Sequence, residues 1–340
     1  MLSLLERRSL SPPAYLKLDP VQPPASAPDA APAAPVSIAI PTQRRPDGLA
    51  RAARSVFRQA GVATERLELV IVDNDAAPSA EPVACRLADE APFPVRYVHE
   101  PAAGVANARN AALAAAKGEL IAFLDDDEEA EQGWLAALIE TQGRCGADVV
   151  FGPVRARAPA RVQSHRLYLE SFFSREGPAE AGVIGHYYGC GDSLVRRAAL
   201  PHPTQPFSAH RNETGGEDDE LFHVMQRAGA RFAWSPDALV YEHPAPERLT
   251  LRYALARAFC FGQAPTYDCV TADPPDWPGA LRWMAIGAAQ AGVFGLAAAA
   301  AWLLRRPDRA FVLDRALRGL GKVLFGGPFA IRFYGRAAAS

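Results

Sequence analysis

The sequence predicts an α/β protein: a mostly parallel sheet flanked by helices, with a C-terminal helical extension. Three observations support this. From residue 36 onward, short apolar runs alternate with stretches of helical periodicity. The runs are continuously apolar rather than alternating, as strands covered on both faces require. The polar residues gather where the runs end, which is where open α/β sheets bind ligands.

The elements follow in order. VSIAIP (36–41) is a β-branched run closed by proline, a buried strand. Over 47–60, Leu49, Ala53, Val56 and Phe57 recur at helical spacing, and Asp47 can cap the start. LELVIVDN (67–74) and VRYVHE (95–100) read as the next strands. Residues 104–117 form an alanine-rich helix that stops at Lys117-Gly118, a basic last turn before a C-terminal glycine. ELIAFLDDD (119–127) is a strand that runs straight into three carboxylates. A helix over 133–143 and a strand ADVVFGPV (147–154) follow. LFHVMQRAG continues a helix that begins among acids at 217, and FAWSPDALVYEH (232–243) is strand-like up to His243.

Of the 340 residues, 49% are hydrophobic and 22% charged, which excludes wholesale disorder. A formal charge of −2 excludes a chain-wide basic surface for nucleic acid. The balance is uneven. Residues 305–340 hold eight basic residues against Asp308 and Asp314, so the tail carries +6 and the rest of the chain −8. Cys85, Cys145, Cys190, Cys260 and Cys269 form no CxxC pair, which suggests reduced thiols in a cytosolic compartment. Residues 1–18 lack the apolar run of a signal peptide, and 19–35 are a proline- and alanine-rich linker. The expected organisation is an arm and linker over 1–35, a catalytic domain over 36–250, and a basic helical, membrane-associated region over 251–340.

The chemistry lies in two acidic constellations. Asp125, Asp126 and Asp127 in a row repel one another unless something positive joins them. A hard divalent cation, Mn2+ or Mg2+, takes such oxygens and leaves positions open for phosphate; a solvated acidic loop capping the next helix is the bland alternative. GGEDDELF (215–222) brings Glu217, Asp218, Asp219 and Glu220 into a first helical turn, where acids also suit the helix dipole. His243 reads equally as a ligand or a structural histidine. No GxxxxGK[ST] loop is present, and GCGDSL (189–194) lacks the third glycine of a dinucleotide fingerprint.

In these blocks the chain resembles the family 2 glycosyltransferases of GT-A fold. VSIAIPTQRR (36–45) and LVIVDND (69–75) resemble that family's first strand and its nucleotide-contacting strand end. EPAAGVANARNAALAAAKGELIAFLDDDEE (100–129) resembles the central block, with the DxD motif at Asp125 and Asp127. GCGDSLVRRAAL (189–200) and the stretch 215–243 resemble the acceptor half. The resemblance implies a Rossmann-like GT-A sheet and inverting transfer from a nucleotide-diphosphate sugar, most simply a UDP-sugar, to a glycan or lipid-linked acceptor in envelope or exopolysaccharide synthesis. It implies metal ligation by Asp127 and Asp125, completed by His243. Asp73 and Asn74 would read the base, Pro41 and Thr42 would line the nucleotide slot, and Asp126 would belong to the donor site. Arg109 would lie near the nucleotide, or else pair with Asp73 or Asp75. Asp218 would be the general base, with Glu217 on an acceptor hydroxyl and Asp192 on the sugar or acceptor. A nucleotidyltransferase of similar fold would need a glycine-rich loop that PTQRRPDG does not supply, and a non-catalytic binder would not need the full acid set.

The tail adds one expectation. From Trp283 to Leu304 there is no charge, and Arg282 and Arg305-Arg306 flank the run. Its length suits a bilayer, but it is rich in alanine and glycine. Residues 311–336 read as a basic amphipathic helix. Together they predict peripheral contact through 280–336 with the inner face of the cell membrane. The alternative is a buried helix packed on the catalytic domain.

Overall fold

The chain divides into two units, Met1–Ala33 and Ala34–Ser340, and the second carries everything below. The computed structural model describes residues 35–212, 215–329 and 331. Residues 1–34 of the arm and linker expected over 1–35, and the basic residues from 332 onward, lie outside the described residues.

The order is β1 (Val36–Thr42), α1 (Pro46–Phe57), β2 (Leu67–Asp73), α2 (Glu81–Glu90), β3 (Val95–His99), α3 (Val105–Ala115), β4 (Leu120–Phe123), β5 (Glu128–Ala130), α4 (Trp134–Cys145), β6 (Val149–Phe151) and β7 (Val154–Ala156). Then come α5 (Arg166–Phe173), β8 (Gly182–Ile184), β9 (Ser193–Arg196), α6 (Glu217–Arg227), β10 (Phe232–Trp234), β11 (Val240–Glu242), α7 (Leu251–Thr271), α8 (Trp277–Leu303) and α9 (Arg309–Val323). The large sheet runs β3-β2-β1-β4-β9-β6-β10-β8, and a small one runs β5-β11-β7. In the large sheet only β9 and β8 are antiparallel to their neighbours.

The continuous apolar runs have a direct cause. Ile38, Ile40, Leu69 and Ile71 point into a core shared with α1, α2 and α4. Ala39, Val70 and Val72 point the other way, toward α3 and α6. Both faces are covered, so neither set of positions can be polar. Each large aliphatic side chain buried this way contributes roughly 1.5–3 kcal/mol. A third apolar cluster, with Tyr168, Leu169, Ala254 and Ala310, ties α5 to α7 and α9.

Three expected elements come out differently. The run 147–154 breaks at Gly152-Pro153 into β6 and β7, which belong to different sheets. Gly152 lies so close to Asp192 Oδ2 that a Cβ there would sit 2.7 Å from it. The run 232–243 splits in the same way at Ser235-Pro236 into β10 and β11. The amphipathic helix expected over 311–336 is α9, and the chain leaves it ahead of Gly326, whose φ is +85°.

Candidate active site

The parallel strands β1, β2 and β4 end together. Thr42 pairs in register with Asp73, and β4 leads directly into Asp125. Here the two acidic constellations meet. Arg109, buried on α3, donates to Glu217 at the start of α6 and to Asp125 at 3.5 Å. It therefore pairs with neither Asp73 nor Asp75. Its guanidinium is held in the charged form by Asp125, Glu217 and Asp218 despite burial. Glu217 is buried too; desolvation pushes its carboxyl up, and Arg109 opposes that shift.

Gly189-Cys190-Gly191 passes between the two acidic groups. The Cys190 N–H donates to Asp218 Oδ2 at 3.0 Å. A Cβ on Gly191 would lie 2.7 Å from Asp125 Oδ2, and one on Gly189 would lie 3.3 Å from Asp218 Oδ2. The glycines are therefore required by close approach, not by the dinucleotide chemistry their spacing suggests. Arg175 fastens the loop, donating to the carbonyls of Gly189 (3.1 Å), Gly191 (3.0 Å) and Asp192 (3.0 Å) and to Asp192 Oδ2 (3.2 Å). Asp192 is fully buried and also accepts from Trp134 Nε1 at 2.7 Å. Burial pushes its carboxyl up to about 7. It supports the loop from behind.

The helix carrying Asp218 starts abruptly. Gly215 and Gly216 both adopt left-handed φ values, +75° and +86°, which an L side chain resists. They turn the chain so that Glu217 points inward to Arg109 while Asp218 stays half-buried at the surface. Asp218 Oδ1 accepts the Asp219 N–H at 2.9 Å.

The aspartate triad is neutralised from within the chain. Arg45 Nη1 bridges Asp126 Oδ1 (3.0 Å) and Asp127 Oδ2 (2.8 Å), and Arg248 lies 3.6 Å from Asp127. The Thr42 hydroxyl donates to Asp126 Oδ2 at 2.8 Å. Burial still pushes Asp126 up to about 6. Behind the triad, buried Glu128 accepts the Asp125 N–H at 2.8 Å. The oxygen set of Asp125 and Asp127 suits Mn2+ or Mg2+ in hardness. Among the described residues, however, no three side chains of His, Cys, Asp or Glu form a metal-holding group. His243 does not join them: its Nε2 lies 3.3 Å from Glu129, and its backbone N–H donates to the Asp127 carbonyl at 2.7 Å. Arg45 holds the position an incoming cation would contest.

At the end of β2, where the base-reading side chains were expected, the polar groups have partners within the chain. Asp73 is buried and accepts from the Ala80 N–H (2.6 Å) and the Tyr97 hydroxyl (3.0 Å). Asn74 donates to the carbonyls of Glu100 and Ala102 and accepts the Gly104 N–H. Both side chains are committed to these partners within the chain. Pro41 and Thr42 stand at the end of β1. Arg44, largely exposed, grips Asp75 at 2.8 Å; that hydrogen bond holds the Asp75 carboxyl down to about 2. Arg44, Arg45, Arg175 and Arg248 carried no sequence signal, because each finds its acid across the fold.

The family model for glycosyl transferase family 2 matches residues 37–202. The succinoglycan biosynthesis protein ExoM of Rhizobium meliloti is 37% identical over 233 residues, covering 67% of this chain and 73% of that protein. The chain is a family 2 glycosyltransferase. A pre-mycofactocin glycosyltransferase of Mycobacterium tuberculosis is 29% identical over 234 residues; the chain spans 46% of its length. Among solved structures, the mannosyltransferase PcManGT of Pyrobaculum calidifontis, in complex with GDP-Man and Mn2+, superposes with a TM-score of 0.54 at 20% identity. That match covers 88% of this glycosyltransferase and 89% of the mannosyltransferase, and supports the GT-A fold. Family membership removes the nucleotidyltransferase alternative. The family match spans the β1 and β2 ends, the triad and Asp192, and stops before α6. The placement of Glu217 and Asp218 therefore rests on the geometry.

Proposed function

We propose that this enzyme transfers a sugar, with inversion, from a nucleotide-diphosphate sugar, a UDP-sugar on the family resemblance, to a hydroxyl of a glycan or lipid-linked glycan. The observation that carries this reading is the convergence of the triad and the Asp218 helix on one glycine loop, joined by buried Arg109. The name of the rhizobial relative supports exopolysaccharide assembly as the setting. A lipid-linked acceptor would be met at the inner face of the cell membrane, through contact over residues 280–336.

Asp218 takes the acceptor proton as the hydroxyl oxygen attacks the anomeric carbon and the bond to the nucleoside diphosphate breaks. The Cys190 N–H on its Oδ2 fixes the carboxylate, leaving lone pairs for the acceptor. Glu217 positions Arg109, whose charge steadies Asp125. A Mn2+ or Mg2+ held by Asp125 and Asp127 would supply positive charge against the departing diphosphate. The test is a donor panel: UDP-, GDP- and dTDP-sugars with Mn2+, read by nucleoside diphosphate release. Release from at least one donor supports the reading, and none from any contradicts it.

A further inference from the structure

Among the described residues, α8 has no protein partner over most of its surface. It runs 27 residues, about 40 Å at 1.5 Å per residue. A helix apolar all round is normally enclosed by protein or lipid. Here only 17% of its most apolar stretch is buried within the protein. The side turned inward is a stripe of small buried residues, Ala280, Gly287, Ala298 and Ala301, and α8 packs on α9. The approach is close: a Cβ on Gly287 would lie 2.5 Å from Lys322 Cβ, and one on Gly319 of α9 would lie 2.6 Å from the Ala291 nitrogen. On the opposite third of the circumference stand Leu281, Val293, Leu296 and Leu303, between 65% and 83% exposed. Arg282 shares that side, and Arg305 and Arg306 follow the C-terminal end, both exposed. An apolar strip with guanidinium groups at both ends complements the acyl chains and anionic headgroups of a bilayer.

α9 decides how α8 meets that bilayer. Its charged side chains lie along the middle of α8: Lys322 Nζ is 3.1 Å from Gln290 Oε1, and the Arg315 guanidinium is 5.4 Å from the Phe294 ring centre. If α8 crossed the membrane, those charges would enter the hydrocarbon core, where they are costliest. α9 is in turn fixed to the catalytic body, with Asp314 accepting from the Tyr168 hydroxyl at 2.9 Å.

We infer that α8 lies flat in the interface of an anionic bilayer, its Leu281–Leu303 strip toward the acyl chains, and does not cross it. This deepens the membrane contact proposed above and rests on it. α7 packs on α9 and exposes Phe261 and Tyr267.

The test uses the full chain and phosphatidylcholine vesicles with or without about 30% phosphatidylglycerol. Sedimentation should show binding to the anionic vesicles only, and Val293→Asp with Leu296→Asp should lower the bound fraction at least about tenfold without changing the melting temperature. Depth is read from Val293→Trp in a chain whose Trp277, Trp283 and Trp302 are phenylalanine, using brominated lipids. Quenching should be strongest for bromines near the headgroups. Strongest quenching at the chain ends would overturn the flat placement while leaving membrane contact intact. Binding indifferent to the two aspartates would mean that the strip is wrongly assigned. No binding by the full chain would remove the contact itself; if a dimer dissociated by the aspartates accompanied it, the occupant would be a second copy. None of these readouts uses turnover, so the glycosyl-transfer reading stands or falls separately.

Discussion

Replacing Gly191 by alanine should cripple turnover in a protein that still folds. The new Cβ would stand 2.7 Å from Asp125 Oδ2 and 3.1 Å from Glu128 Oε1. Non-bonded heavy atoms rest near 3.5 Å, so one side must yield by about 0.8 Å. Neither side is free to move. Asp125 is held by Glu128 through its N–H and by Arg109 through Oδ1. The loop is held by Arg175 at three carbonyls. Gly191 has no left-handed φ, so the effect is steric and not conformational. Displacing a reacting group by this much costs about 10²-fold in turnover. The accompanying overpacking should cost about 1–3 kcal/mol of stability. Gly189→Ala, with 3.3 Å to Asp218, should lose less, about tenfold. Gly182→Ala on β8, with no atom within 4 Å, is the control. Steady-state release of nucleoside diphosphate, with a thermal melt of each variant, reads all three. A Gly191→Ala enzyme within about threefold of wild type in kcat would refute the packing of the loop against Asp125.

Arg109→Met leaves Glu217 buried without its cation and should cost about 3–5 kcal/mol in urea unfolding, part of which Glu217→Gln restores in the double variant. Asp192 has a folded-state pKa raised from 3.8 to about 7, so its stabilising share is complete below pH about 4 and lost as pH rises to about 7. The free energy of urea unfolding should therefore fall more steeply with pH across that window in wild type than in Asp192→Asn, by up to about 1.4 kcal/mol per pH unit; an equal slope would count against it. Donor binding should need a divalent cation and lose both the dependence and the affinity in Asp127→Ala; calorimetry with equal affinity in EDTA would exclude the proposed ligation.

The sheet was legible where strands are long and covered twice. Residues 38–40, 69–72 and 120–123 are apolar at every step because alternate side chains enter two different cores. The short strands β5, β8 and β9 left no pattern, since three or four residues cannot show a period. α7 was expected only as part of a helical region over 251–340, without bounds: Pro265 lies inside it, and the helix persists because packing on α9 outweighs the lost hydrogen bond. In the site, the acids were visible as runs, and the need for positive charge among them was correctly anticipated. Its source in the chain was not. Arg45 reaches 81 residues ahead to Asp126, and Arg248 reaches back to Asp127. Such pairings belong to the topology, not to any local stretch. Asp73 and Asn74 illustrate the converse, polar residues at a strand end whose side chains are consumed in holding the loop.

The central claim is that Asp218 is the base of a sugar transfer whose donor is held by other residues. Asp218→Asn keeps the Oδ acceptor for the Cys190 N–H in one rotamer and removes the proton sink. With a donor identified from the panel, its affinity for the variant should stay within about tenfold of wild type while kcat falls by 10²-fold or roughly more. Turnover near wild type in Asp218→Asn would contradict the account.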